Sequence, residues 1–175
     1  MKKQVRQGVF ETNSSSVHAI CICTDDFLHI PEKLKFGFGE FGWSESTLDC
    51  TQEKADYLWT AIACIDDFDT IKKYTKFITK TLKEHGVRDI DFEPIEVHIG
   101  TWGSDTEVFF SCPDDYWIDH VSETREFVDA VCTDEDRLMN YLFTNRSYIV
   151  TGNDNSDSCP RINEVYPHEE YYKGN

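Results

Sequence analysis

The chain has 175 residues, 39% hydrophobic and 14% aromatic, with 17 basic and 33 acidic side chains and a formal net charge of −16. That aromatic content argues against a disordered chain, because it can bury enough apolar surface to offset the entropy of ordering, and no apolar run approaches the roughly 20 residues of a membrane helix. So anionic a surface repels nucleic acid, attracts basic surfaces and lacks the cationic footprint of a duplex-binding protein.

Taken in chain order, Gly8–Thr12 and Val17–Thr24 read as two strands around the polar turn Asn13-Ser14-Ser15-Ser16. The second is mostly apolar without alternation, as expected of a strand buried on both faces. Phe27–Asp49, rich in Gly and aromatics, reads as irregular. Thr51 is placed to cap a first helix whose Ala55, Leu58, Trp59, Ile62 and Ile65 keep helical spacing. Asp67 or Asp69 starts a second, with Ile71, Tyr74, Ile78 and Leu82 as its apolar stripe and Gly86 as its stop.

Ile90–Ile99 and Thr106–Cys112 read as strands of a hairpin joined by the loop Gly100–Asp105. A third helix is expected from Asp114 or Asp115 to about Val131, a fourth from Asp134 to about Thr144, and a last short strand over Ser147–Thr151. The order predicts one α+β domain over residues 1–160. Its sheet is mostly antiparallel, with four helices packed on it as a single layer pair. Residues 161–175 read as a polar tail or docked edge segment.

Charge is uneven. Residues 1–100 carry 12 basic and 17 acidic side chains, and residues 101–175 carry 5 and 16. Lys72, Lys73, Lys76, Lys80 and Lys83 fall within twelve positions, most on the helix face opposite the apolar stripe. They are the one place where phosphate or an acidic partner finds local attraction. Seven cysteines form no CxxC pair, and no apolar segment follows the basic opening residues, so reduced thiols and a chain without a secretory leader are expected. Cys21 and Cys23 share one face of their strand, as a metal pair or as two buried thiols. No cofactor or metal site is assigned.

Gly37-Phe38-Gly39-Glu40-Phe41-Gly42 has the letters of a dinucleotide fingerprint, but no helix start follows to receive a pyrophosphate. Ser14–Ser16 followed by His18 lack a nucleophile elbow. With His120 and Asp154 they would supply hydroxyl, imidazole and carboxylate if the fold brought them together, the parts of an acid–base or metal-assisted hydrolase. The Asp154 run has its glycine out of register for an EF-hand.

The segment Val9-Phe10-Glu11-Thr12-Asn13-Ser14-Ser15-Ser16-Val17-His18, preceded by Arg6 and Gly8, resembles the N-terminal signature of small proteins encoded by bacteriophages and prophages, mostly of low-GC Gram-positive hosts. Ile118-Asp119-His120 and Thr151-Gly152-Asn153-Asp154-Asn155 resemble that group more loosely. The resemblance supplies no activity. It implies a phage context and a bacterial cytoplasm.

Charge and resemblance together lead to one expectation: a phage-encoded inhibitor of a host defence system, of the anti-CRISPR kind. It would bind a basic, nucleic-acid-handling host protein such as a Cas effector, whose cationic channel holds nucleic acid. Asp114, Asp115, Asp119, Glu123, Glu126, Asp129, Asp134, Glu135 and Asp136 are its expected contact residues, and direct nucleic-acid binding is expected only at the Lys72–Lys83 face. The alternative is a hydrolase or nucleotide-processing enzyme built on Ser15, His18, His120 and Asp154. A third expectation is a phage accessory protein that binds one host factor through Phe36, Phe38, Phe41 and Trp43, which read equally as an exposed interface or as residues packed under the sheet.

Overall fold

The computed structural model describes residues 16–24, 29–42, 44, 46–65, 67–102, 105–113, 116–119, 121–153 and 169–174. The fold is α+β. A four-stranded antiparallel sheet runs in the order β10 (Glu169–Gly174), β1 (Ser16–Cys23), β9 (Tyr148–Asn153), β4 (Ser46–Leu48). Every side chain from His18 to Cys23 is buried, so both faces of β1 are covered, which is what an apolar run without alternation requires. Cys21 and Cys23 sit on one face with their sulfurs 3.6 Å apart. The strand expected at Gly8–Thr12 lies outside the described residues.

Helix α1 (Thr51–Ala63) is the central element. It is buried from Tyr57 to Ala63 and packs against strands and the other helices, consistent with its apolar character on nearly all sides. Its cap is Cys50, not Thr51: Cys50 holds the extended backbone of a capping residue, and its N–H donates to the Glu53 carboxylate at 3.4 Å. Thr51 is the first helical residue and instead ties α1 to the neighbouring helix, donating to the Leu142 carbonyl at 3.1 Å.

Helix α2 (Phe68–Glu84) starts at Asp67, whose carboxylate accepts from the Thr70 N–H at 3.3 Å. Ile71, Tyr74, Ile78 and Leu82 are its buried stripe, joined by Thr81. It ends in a Schellman turn: Gly86, at φ +98°, donates to the Lys83 carbonyl and Val87 to that of Leu82.

The stretch read as irregular contains three short strands, β2 (Lys33–Phe36), β3 (Glu40–Phe41) and β4. Two of them pair in parallel with distant partners: β2 with β5 (Asp89–Phe92), and β3 with β8 (Trp117–Ile118). Pairing this short and this remote leaves no local pattern. The same stretch is not an exposed aromatic surface. Phe36, Phe38 and Phe41 are buried in the core, stacked on or edging into Phe92, Trp59 and Tyr57, while Trp43 lies outside the described residues. The glycines between them are held by α1, with Gly37 N–H donating to Asp56 and Gly39 N–H to Thr60. A strand follows them rather than a helix.

The hairpin is β6 (Glu96–Trp102) with β7 (Asp105–Ser111), and it is longer than expected. Trp102 pairs with Asp105, so most of the segment read as a loop is strand. Gly100 permits this by making room for the diagonal Phe109 ring, 2.7 Å from where a β-carbon would sit. The helix expected from 114 or 115 does not run through residues 116–119. The chain forms β8, then a 3₁₀ turn (Val121–Thr124), then α3 (Arg125–Val131), so Asp119 precedes the helical region rather than lying on it. Thr124 leads into α3 with its hydroxyl spent on the Val121 carbonyl. Helix α4 (Glu135–Phe143) begins at Asp134 as expected.

One continuous hydrophobic cluster joins these elements, and Phe127 is fully buried within it. Its ring is 5.0 Å from Tyr141, 5.8 Å from Tyr172 and 6.1 Å from Tyr57, so α3, α4, β10 and α1 meet on one side chain. Among the described residues no helix is long and apolar enough to cross a membrane.

Candidate functional site

Carboxylates gather on α3, α4 and β10 but are used differently. Asp129 accepts from the Tyr74 hydroxyl and lies 3.3 Å from Arg125 Nε, fastening α3 to α2. Asp134 caps α4, accepting from the Arg137 N–H at 3.0 Å, where a carboxylate also complements the helix dipole. Glu135 is 2.7 Å from His85 Nε2, across the gap to the end of α2. Glu126 and Asp136 are exposed and have no ion pair among the described residues. Asp119 is half-buried and anchored by its N–H to the Phe41 carbonyl at 3.0 Å. Asp114 and Asp115 lie outside the described residues, as does the side chain of Glu123.

The arginines of this region are already engaged. Arg125 faces Asp129, and Arg137 Nε donates to both oxygens of Glu170 on β10, at 2.7 and 3.0 Å, while its Nη1 lies 3.5 Å from Asp134. Glu170 holds the Arg137 pKa above its ordinary value. The cations of α3 and α4 therefore neutralise carboxylates within the face and leave Glu126 and Asp136 without a partner cation among the described residues. The opposite sign sits on α2, where Lys72, Lys73, Lys76, Lys80 and Lys83 are all exposed.

The polar segments singled out in the sequence lie side by side. Pairing of β1 with β9 sets Ser16 opposite Asn153 and His18 opposite Thr151. Thr151 then lines a cleft of about 240 Å³ with Glu40, Gly42, Ser44, Ser46 and Trp117. Trp117 Nε1 donates to Glu40 at 3.2 Å, and the Thr151 hydroxyl donates to the Ser44 carbonyl at 2.9 Å. A β-carbon on Gly42 would meet the Trp117 ring at 2.8 Å and Asp119 Cβ at 3.1 Å, so glycine is what lets Asp119 close against the cleft wall. Ser15, His120 and Asp154 lie outside the described residues.

His18 is buried, with Nδ1 3.1 Å from the Tyr57 hydroxyl. Burial raises the Tyr57 pKa far above its ordinary value, so that phenol keeps its proton. The imidazole is thus part of the core packing beneath the cleft and is not open to a ligand directly. Glu40, Ser44, Ser46 and Trp117 were not singled out in the sequence. They meet through β3–β8 pairing and the β4 edge, and no spacing signals that. The cleft offers a carboxylate, hydroxyls and an indole.

One more pair emerges only in three dimensions. Cys64, half-buried at the end of α1, has its sulfur 3.7 Å from that of Cys112 just after β7. The Cys112 thiol as donor lowers the Cys64 pKa, and the same contact raises that of Cys112. Forty-seven residues of intervening chain hide this pair from any motif scan.

No family model, curated protein or solved structure matches this chain.

Proposed function

We propose that the chain is a phage or prophage protein that docks on a basic, nucleic-acid-handling host protein, with its anionic face over α3, α4 and β10 occupying a channel built for nucleic acid. A Cas effector is the favoured target, and inhibition of DNA binding or cleavage the favoured outcome. The observation that carries this reading is the engagement of Arg125 and Arg137 by carboxylates of their own face, which leaves Glu126 and Asp136 exposed and without an ion pair among the described residues. A cationic channel focuses its field and accelerates the approach of an anionic partner, by roughly 10- to 1,000-fold at low ionic strength. The N-terminal resemblance to phage proteins supplies the biological setting. Competition is the test. The protein and target DNA should displace each other from a guide-loaded Cas nuclease in a binding assay. Simultaneous binding of both, with no loss of affinity for either, would remove channel occupancy as the mechanism.

A second reading is a hydrolase or nucleotide-processing enzyme, favoured by the β1–β9 register and by Asp119 at the same cleft. In this reading Ser15 supplies a hydroxyl, His120 an acid–base group and Asp154 a carboxylate. Screening nucleotides and phosphate esters for turnover tests it. Ser15→Ala and His120→Ala should abolish any turnover while circular dichroism stays unchanged. Absence of turnover across the panel would end this reading.

A further inference from the structure

The described residues include five large apolar side chains that are well exposed, and four of them belong to one region: Phe68 at 55%, Val97 at 59%, Ile99 at 71% and Val108 at 49%. The hairpin register explains the grouping. Val97 lies opposite Phe110 and Ile99 opposite Val108, and residues directly opposite in an antiparallel pair share a face. Phe110 in turn stacks on Phe68 at the start of α2, ring centroids 5.5 Å apart. One apolar surface therefore runs from the hairpin onto the helix.

It continues as a groove of about 680 Å³ along α2, with Phe68, Ile71 and Thr75 in its wall and Lys72, Lys76 and Lys80 along its rim. Lys80 has Glu84 at 3.8 Å, whereas Lys72 and Lys76 have no carboxylate at ion-pair distance among the described residues. Beyond their mutual pairing, β6 and β7 have no strand partner among the described residues. A two-stranded hairpin is marginal without cover, and apolar faces of this kind mark interaction sites.

We propose that this face of the β6–β7 hairpin and the lysine-rimmed groove of α2 form one docking surface for an acidic, apolar segment of a partner protein. The rim charge selects carboxylates, and the apolar wall selects Leu, Ile or Phe side chains between them. Nucleic acid fits poorly, because the wall hydroxyls of Thr75 and Thr79 donate to carbonyls of their own helix and the protein as a whole has a net charge of −16. A second copy docked face to face would set lysine rim against lysine rim. Docked head to tail, acidic face to lysine rim, it would build rings or open filaments, which sedimentation reads as self-association. This surface is separate from the α3–α4 face and stands independently of the function proposed for it.

The test is selection of a random displayed-peptide library on the full-length protein, followed by affinity measurement on the winners. Recovered peptides should combine Asp or Glu with large apolar residues. Lys72→Glu/Lys76→Glu/Lys80→Glu should weaken them roughly tenfold or more, the loss of about 1.4 kcal/mol of contact energy. Val97→Ser/Ile99→Ser should do the same without touching a charge. All five positions are exposed, so the folded state is expected to persist, checked by circular dichroism. Winners without acidic bias, winners indifferent to both variants, or no winners would overturn the proposal. So would an oligonucleotide that competes for the surface, or sedimentation showing self-association that Ile99→Ser abolishes.

Discussion

Lys54 Nζ lies 2.9 Å from the carbonyl oxygen of Thr144, and with a second bond to Ser147 at 3.1 Å it suspends the loop after α4 from a fully buried ammonium on α1. Burial pulls its pKa down from 10.5 to about 8, against the raising influence of Asp49, Cys50 and Cys23. Below the folded value both states hold the proton and the desolvation penalty is carried in full. Between the two values the unfolded chain binds more protons than the folded one, so the penalty is relieved as pH rises. Comparison with Lys54→Met at each pH cancels the titrations that the two proteins share. The stability of the wild type minus that of the variant should rise by about 2–3 kcal/mol from about pH 7 to about pH 10.5, measured by urea unfolding. A flat or falling difference would show that Lys54 is solvated.

Phe127 has no exposed surface and touches the aromatic rings of three other elements. Phe127→Ala should cost about 3–5 kcal/mol, transfer and cavity terms together, in chemical denaturation. A loss under about 1 kcal/mol would mean that α3 packs only loosely on α1.

Much of this packing was legible in the sequence. The α2 stripe Ile71, Tyr74, Ile78 and Leu82 is buried as its 3.6-residue period requires, and Asp67 and Asp134 cap their helices because a short carboxylate reaches the first free N–H groups. The errors share a cause. Cys50 caps α1 because tertiary contacts claim the Thr51 hydroxyl for Leu142. The strands β2, β3 and β8 owe their existence to partners 56 or more residues away. Phe36, Phe38 and Phe41 look like loop residues until α1 lies under them. For the candidate sites, helix period placed the five lysines on the exposed face of α2, but which carboxylates find a cation depends on the reach of Arg125 and Arg137, which spacing does not encode.

Arg137 clips the edge strand β10 to α4 through Glu170. The pair is substantially exposed and solvent-screened, so Arg137→Ala should change global stability by less than about 1 kcal/mol. Its local effect should be larger. Amide exchange across Glu169–Gly174 should speed up while that of β1 and β9 is unchanged, read by hydrogen–deuterium exchange. Equal protection of β10 in both proteins would assign its docking to Tyr172 and the β1 ladder alone.

Gly86 is left-handed at φ +98° with open space where a β-carbon would point. Gly86→Ala should therefore cost about 1 kcal/mol through backbone strain, with no steric clash. Gly86→Asn should recover part of the loss, since Asn tolerates that conformation. Thermal melts of the three proteins measure both effects, and an unchanged melting temperature for Gly86→Ala would contradict the Schellman assignment.

The most direct measurement of the proposed function is target-DNA cleavage by a panel of guide-loaded Cas nucleases, at low and high salt, with wild type and with Glu126→Lys/Asp136→Lys. The anionic-face account predicts that at least one nuclease is inhibited, that inhibition weakens as salt screens the approach, and that the double charge reversal abolishes it. No inhibition across the panel, or inhibition indifferent to salt and to both reversals, would contradict it.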